Sequence, residues 1–128
     1  MRLVTYVGNS DNTKTGLLIN DRVVPLEQLG ISNDMNEIIK DFQKVKKIIS
    51  ENKIENLKTL DLSDTKLHAP IPRPLRNIMC VGKNYHDHAQ EFYGSGFDSS
   101  GKKAVADFPV IFTKATTSVI ATDENIIL

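Results

Sequence analysis

Apolar and polar positions alternate loosely over Arg2 to Val7, a run rich in β-formers, and the polar stretch Gly8-Asn9-Ser10-Asp11-Asn12 that follows predicts a turn. Thr15 to Ile19 repeats the strand pattern, Asn20-Asp21 is a tight-turn dipeptide, and Arg22 to Leu26 is a third strand whose end Pro25 pushes to an edge or exit. The three together predict a small antiparallel meander. After the connector Leu29-Gly30-Ile31 the period changes: Met35, Ile38, Ile39, Phe42, Val45, Ile48 and Ile49 keep near-helical spacing, with Ser32, Asn33 or Asp34 able to cap the start. The opposite face, with Lys40, Lys44, Lys46 and Lys47 beside Glu37, Asp41 and Glu51, reads as solvated.

Asn52 to Leu67 is polar, with a partial apolar pattern at Ile54, Leu57, Leu60 and Leu62, and reads as an extended connector. In His68-Ala69-Pro70-Ile71-Pro72-Arg73-Pro74 alternating prolines forbid helix and mark a boundary between two units. Next, Ile78 to Val81 reads as a short buried strand, Gly82 permits a sharp exit, and Asn84 with Asp87 three residues on forms a variant capping box for a helix starting near Tyr85. On that helix Tyr85, Ala89 and Phe92 form an apolar stripe expected to be core, while Asp87, His88 and Glu91 share a polar face. Gly94 to Lys103, containing Gly94, Gly96 and Gly101, is flexible by composition. Pro109 to Lys114 reads as another buried strand, Thr116 to Ile120 as a further extended segment, and Asp123-Glu124-Asn125 as a turn into a strand start at Ile126-Ile127-Leu128. A chain stopping there is expected to be part of a longer protein.

Charge removes one class of partner. Sixteen basic and sixteen acidic residues cancel, so the long-range positive field that nucleic acid or an anionic membrane would need is absent. No apolar run is long enough to span a membrane, no signal peptide is evident, and the single Cys80 fits a reducing compartment, so the cytoplasm is the expected location. Set inside a strand pattern, Cys80 is expected to be a buried inert thiol rather than a nucleophile.

The chemistry concentrates on the helix after Gly82. His88 and Glu91 are neighbours at i, i+3, a spacing at which the carboxylate can orient the imidazole and support it as a general base. The alternative is a surface histidine making a local contact. His86 points elsewhere, so His86 and His88 make a poor metal chelate on a helix. Lys83 and Asn84 read as turn and cap residues, although backbone amides near Gly82 could face a carboxylate.

Ala69-Pro-Ile-Pro-Arg-Pro, Asn77-Ile-Met-Cys-Val-Gly-Lys-Asn-Tyr-His-Asp-His-Ala-Gln-Glu, Pro109-Val-Ile-Phe-Thr-Lys and Thr117-Ser-Val-Ile occur in that order. In these motifs the chain resembles the fumarylacetoacetate hydrolase family, specifically over residues 69–128 and only loosely before. The resemblance implies an α+β fold: residues 1–68 as a small N-terminal β-meander with one helix, then residues 69–128 as the first strand-helix-strand elements of a mixed β-sandwich or roll, left incomplete. It also implies a metal-dependent enzyme acting on small 2-oxo or 2-hydroxy-dienoate acids by C–C hydrolysis, decarboxylation or isomerisation. Mg²⁺ or Mn²⁺ would chelate the oxo-acid head and stabilise the enolate.

On the same basis His88 and Glu91 carry the family's His-x-x-Glu motif and move a proton. Lys114, Asn84 and Tyr85 bind or line the site, and Gly94, Gly96 and Gly101 belong to a lid. One departure is serious. The family's metal ligands, a Glu-x-Glu pair and a later Asp, have no counterpart here, since Asp123-Glu124 lacks the spacing; they are expected beyond Leu128. The 128 residues alone are therefore expected to be catalytically silent, and a Glu-x-Glu segment further along the reading frame would decide the question. The alternative from another class is an interaction module that uses the apolar strands Ile78 to Val81 and Val110 to Phe112 to assemble with another chain. With their edges unpaired, such strands are expected to self-associate, as a homodimer or a larger species.

Overall fold

Residues 1–8, 11–96 and 108–127 are described by a computed structural model. They form an α+β arrangement with antiparallel sheets, divided into two compact units: Met1–Leu75 with the tail from Val119, and Arg76–Ser118.

In the first unit β1 (Arg2–Val7), β2 (Thr13–Ile19) and β3 (Arg22–Pro25) form the meander, with Tyr6 opposite Lys14, Leu3 opposite Leu17, and Leu17 opposite Val24. The tight turn works because Asn20 accepts the left-handed conformation, at φ 50°. Since paired residues share a face, Leu3, Leu17 and Val24 lie on one side, and Tyr6, Val4, Gly16 and Val23 on the other.

The first side carries the core, where Leu17 and Val24 cluster with Leu26, Ile31, Met35, Ile38 and Val45. Two buried threonines on this side are satisfied by carbonyls: Thr5 donates to Pro70 and Thr15 to Ser32, each at 2.7 Å. Their partners remove the cost of burying a bare hydroxyl.

The single expected helix is two. Of the candidate caps Asp34 is the one used, its carboxylate accepting from the Asn36 amide at 2.9 Å, and α1 runs Met35–Lys40. Asp41, at φ −108° and ψ 33°, then breaks the run, and α2 occupies Phe42–Glu51. Aspartate competes for backbone bonds and favours such positions. The break lets each helix choose its own inward face, Met35 and Ile38 in one, Val45 with Ile48 and Ile49 in the other, and leaves the expected core residues Ile39 and Phe42 exposed.

The stretch expected as a connector proves structural. Leu60–Asp61 is a fourth strand, β4, on the outer edge of β3, while Lys66 and His68 bond to β1: the Val7 amide donates to Lys66 and the His68 amide to Thr5. Residues 59–67 thus stride from one edge of the sheet to the other over the Tyr6 side. Gln28 guides the approach by donating to the Lys58 carbonyl and accepting from its amide, and Arg22 clasps Thr59 and Asp61.

Gly16 makes this second side close-packed. A Cβ there would stand 2.4 Å from Val23 Cγ1 and 3.4 Å from the Tyr6 ring, a space those side chains already fill.

The second unit pairs β5 (Ile78–Gly82) with β6 (Val110–Lys114), antiparallel, Ile78 opposite Lys114 and Gly82 opposite Val110. Neither strand is buried as expected. Met79, Val81 and Ile111 share one face and are exposed, Met79 by 69%, because no described element covers that face of the two-stranded ribbon. Cys80 is half-buried rather than sealed. Thr116–Ser118 forms a single helical turn where an extended segment was expected. The strand start expected over Ile126, Ile127 and Leu128 is not seen at Ile126 and Ile127, which are exposed and irregular, and Leu128 lies outside the described residues.

Candidate active site on the turn after Gly82

The turn is made one residue later than the glycine. Gly82 ends β5, and Lys83 takes the left-handed conformation, φ 53°, which a residue with a Cβ adopts at some cost. The following helix, α3, therefore begins at His86 and runs to Gly94, with Tyr85 in extended geometry as its cap and the first helical bond from the Ala89 amide to the Tyr85 carbonyl at 2.9 Å.

This corrects two expectations. Asn84 with Asp87 does not form a capping box, because the cap position has moved to Tyr85 and no side chain caps the helix. Tyr85 is not core: outside the helix it leaves the Ala89 and Phe92 stripe and is 73% exposed. Ala89 alone of the three is buried, and Phe92 is exposed.

What Phe92 does is organise the surface. The Lys83 ammonium sits over its ring, 5.8 Å from the centroid, and the His88 imidazole lies beside it at 6.4 Å, tilted by 46°. His88 and Glu91 are exposed on α3, a turn apart, with no hydrogen bond between them.

Lys114, also exposed, ends β6 opposite Ile78, four residue steps or about 13 Å of strand from the Gly82 end. Among the described residues no hydrogen bond or ion pair joins it to His88 or Glu91. Gly94 ends α3, and Gly96 takes φ 77° just beyond, with no atom among the described residues, chain neighbours and the helix's own backbone aside, within 4 Å of where a Cβ would stand on either. Gly101, the third glycine of the expected lid, lies outside the described residues. No three His, Cys, Asp or Glu side chains among the described residues converge to hold a metal ion. No helix there is long and apolar enough to cross a membrane.

A polar cleft in the first unit, lined by Tyr6, Lys14, Glu27, Thr59, Asp61 and Asp64 among others, has no counterpart in the sequence pattern. Its residues come from four separate stretches, and the only local hint is the lysine among β-formers at the start of β2.

No family model matches the chain. It is 50% identical over 58 residues to oxaloacetate tautomerase YisK of Bacillus subtilis, covering 45% of this chain and 17% of that one. Over 133 residues it is 26% identical to the fumarylacetoacetate hydrolase domain-containing protein 2 homolog of Dictyostelium discoideum, covering 99% and 40%. Among solved structures, maleylpyruvate hydrolase of Sphingobium sp. SYK-6 superposes with a TM-score of 0.64 at 20% identity over 94% of this chain and 38% of its own, and one of its structures holds manganese(II) and pyruvate. The chain thus spans two fifths or less of each of these proteins; the relatives point to the fumarylacetoacetate hydrolase family, and the solved structure shares the fold.

Proposed function

We propose that this chain supplies the proton-handling part of a fumarylacetoacetate hydrolase-family enzyme acting on small 2-oxo acids of the oxaloacetate or acylpyruvate type, with residues 69–128 as the start of its catalytic domain. The observation that carries this reading is the strand, left-handed turn and helix that present His88 and Glu91 together on the surface, in a chain half identical over 58 residues to an oxaloacetate tautomerase.

In this reading the exposed His88 imidazole takes a proton from the substrate carbon or from water. Glu91, one turn on, comes within reach of the ring by side-chain rotation and orients it, a bond of the kind that tightens only once substrate is present. Phe92 limits the imidazole on one side. Asn84 and Tyr85, both exposed at the turn, are placed to line the substrate, Lys114 is assigned to the site's rim, and Gly94 and Gly96 to the hinge of a lid. Mg²⁺ or Mn²⁺, when bound, would polarise the oxo-acid head. The described residues do not make that metal's site, and the 128 residues alone are expected to be silent.

A chimaera tests the proposal: residues 69–128 of this chain set in place of the corresponding segment of oxaloacetate tautomerase YisK. Retained oxaloacetate tautomerisation that His88→Ala abolishes is the expected result, and a folded chimaera whose activity ignores His88→Ala would refute the assignment. The bare apolar face of Met79, Val81 and Ile111 favours a second reading, a non-catalytic module that assembles with another chain. Turnover of oxaloacetate with Mn²⁺ by the 128 residues alone, lost in His88→Ala, would sink both the silence and this alternative.

A further inference from the structure

His88 and Phe92 stand four residues apart on α3, so they are neighbours on one face of the helix. Helical side chains lean toward the N-terminus, which carries the Phe92 ring back onto the imidazole. The two rings meet with centroids 6.4 Å apart and a tilt of 46°, as aromatic pairs do. Glu91, three residues on from His88, comes up on the adjacent side. The turn ahead of the imidazole thus offers an apolar ring to pack against and a carboxylate to which a ring N–H can donate.

Phe92 is 38% exposed, so a wall made by this side chain alone would swing with its own rotation. The Lys83 ammonium covers the ring, 5.8 Å from its centroid. Lys83 is half-buried, whereas Lys44, Lys46 and Lys47 of α2 are all exposed: its stem is drawn in toward the protein while theirs reach into water.

The backbone points the same way. Glycine and asparagine adopt the left-handed conformation at least cost, and Gly82 and Asn84 flank the kink, yet Lys83 is the residue that takes it, at φ 53°. Of the three positions, the strained one is the one with a cation to aim.

We infer that Lys83 and Phe92 are positioning residues for His88. The ammonium pins the Phe92 ring, and the ring confines the imidazole to orientations in which Glu91 can reach one nitrogen and the other is left for the substrate proton. The inference rests on the reading of His88 as the base of the proposed reaction.

A spectroscopic test uses the 128-residue protein. The His88 ring protons lie in the field of the Phe92 ring, and their resonances, identified by their loss in His88→Ala, should move on Phe92→Leu while those of His86 and His68 stay in place. Lys83→Gln, which keeps a long side chain without the charge, should move them most of the way to the Phe92→Leu positions, and Lys83→Arg should hold them near the parent. A kinetic test uses the YisK chimaera carrying residues 69–128. There Lys83→Gln should lower kcat for oxaloacetate about tenfold with KM within about twofold, because a misplaced base is felt in the transition state rather than in binding. Lys83→Arg should recover most of that loss. Lys83→Gly relaxes the backbone and removes the cation together, so it should behave as Lys83→Gln does and separate the side chain's role from the turn's. His88 resonances indifferent to Lys83→Gln, an arginine variant no better than glutamine, or a raised KM with kcat unchanged would each overturn the inference. Should His88→Ala abolish turnover while Lys83→Gln leaves kcat alone, the positioning role fails and His88 keeps its assignment; turnover that ignores His88→Ala removes both.

Discussion

Replacing Gly16 by alanine puts a methyl group where the sheet has no room for one. The new Cβ would meet Val23 Cγ1 at 2.4 Å, and Val23 is 0% exposed, so neither group can relieve the contact by turning into solvent. Overpacking of this kind costs about 1–3 kcal/mol, while removing a glycine from a strand interior returns about 0.5–1 kcal/mol. With Val23 sealed in place the upper half of that cost applies, and the net expectation is a loss of about 1–2.5 kcal/mol, or a fall in Tm of about 5–20 °C for a unit of this size.

Urea unfolding followed by far-ultraviolet circular dichroism measures it, and a double-mutant cycle locates it. Val23→Ala alone should cost about 2 kcal/mol through lost burial and the cavity left behind. In Gly16→Ala/Val23→Ala the added methyl occupies the vacated space, so the double variant should be more stable than the sum of the singles by about 1 kcal/mol. If Gly16→Ala is as stable as the parent, or the two changes add within about 0.5 kcal/mol, the close packing described for this side of the sheet is wrong.

Other expectations follow from single contacts. Asp34→Ala removes the acceptor for the Asn36 amide and should cost about 1 kcal/mol in the same unfolding assay, with Asp34→Asn largely sparing it. Tyr6 has a raised phenol pKa, so its contribution is fully present below the unfolded value of about 10 and is lost as pH rises through the folded value. The urea midpoint should therefore fall more steeply above pH ~10 in the parent than in Tyr6→Phe. Glu27 runs the other way: Lys14, then Asn33, hold its carboxyl below the usual range, so Lys14→Gln should reduce the midpoint at neutral pH and leave it little changed at a pH where Glu27 is already protonated. Light scattering should find the 128-residue protein self-associated, and Val81→Lys with Ile111→Lys should disperse it; a compact monomer from the parent would count against the bare face as a contact surface.

What could be read from the residues was what they determine locally. The turn at Asn20, the strands beside it and the cap in Ser32 to Asp34 all depend on neighbours within a few positions. The crossing stretch escaped because a strand of two residues has no period, and its partners Arg22 and Val23 stand some forty positions away. The break at Asp41 escaped for a different reason: helical spacing passes through it unchanged, and only packing reveals that two inward faces are better than one. At the site, Tyr85 was misplaced because Lys83, not Gly82, takes the left-handed conformation, which moves the helix start by one residue and swings the aromatic ring outward. The Tyr6 cleft had no signature, being assembled from side chains that are each ordinary in their own segment.

The crossing stretch also sets the order in which the first unit can be assembled. The two hairpins need only close small loops and can form in about 1–10 μs. The bonds from residues 66–70 to β1 must wait, because the Thr5 hydroxyl reaches a carbonyl 65 positions later, and that loop has to be closed before any of its contacts can reward the closure. On a ribosome, then, β1 to α2 emerge and collapse first, and the second wall over Tyr6 is laid down last. A chain arrested before Thr59 would hold both hairpins and both helices and still have no cleft.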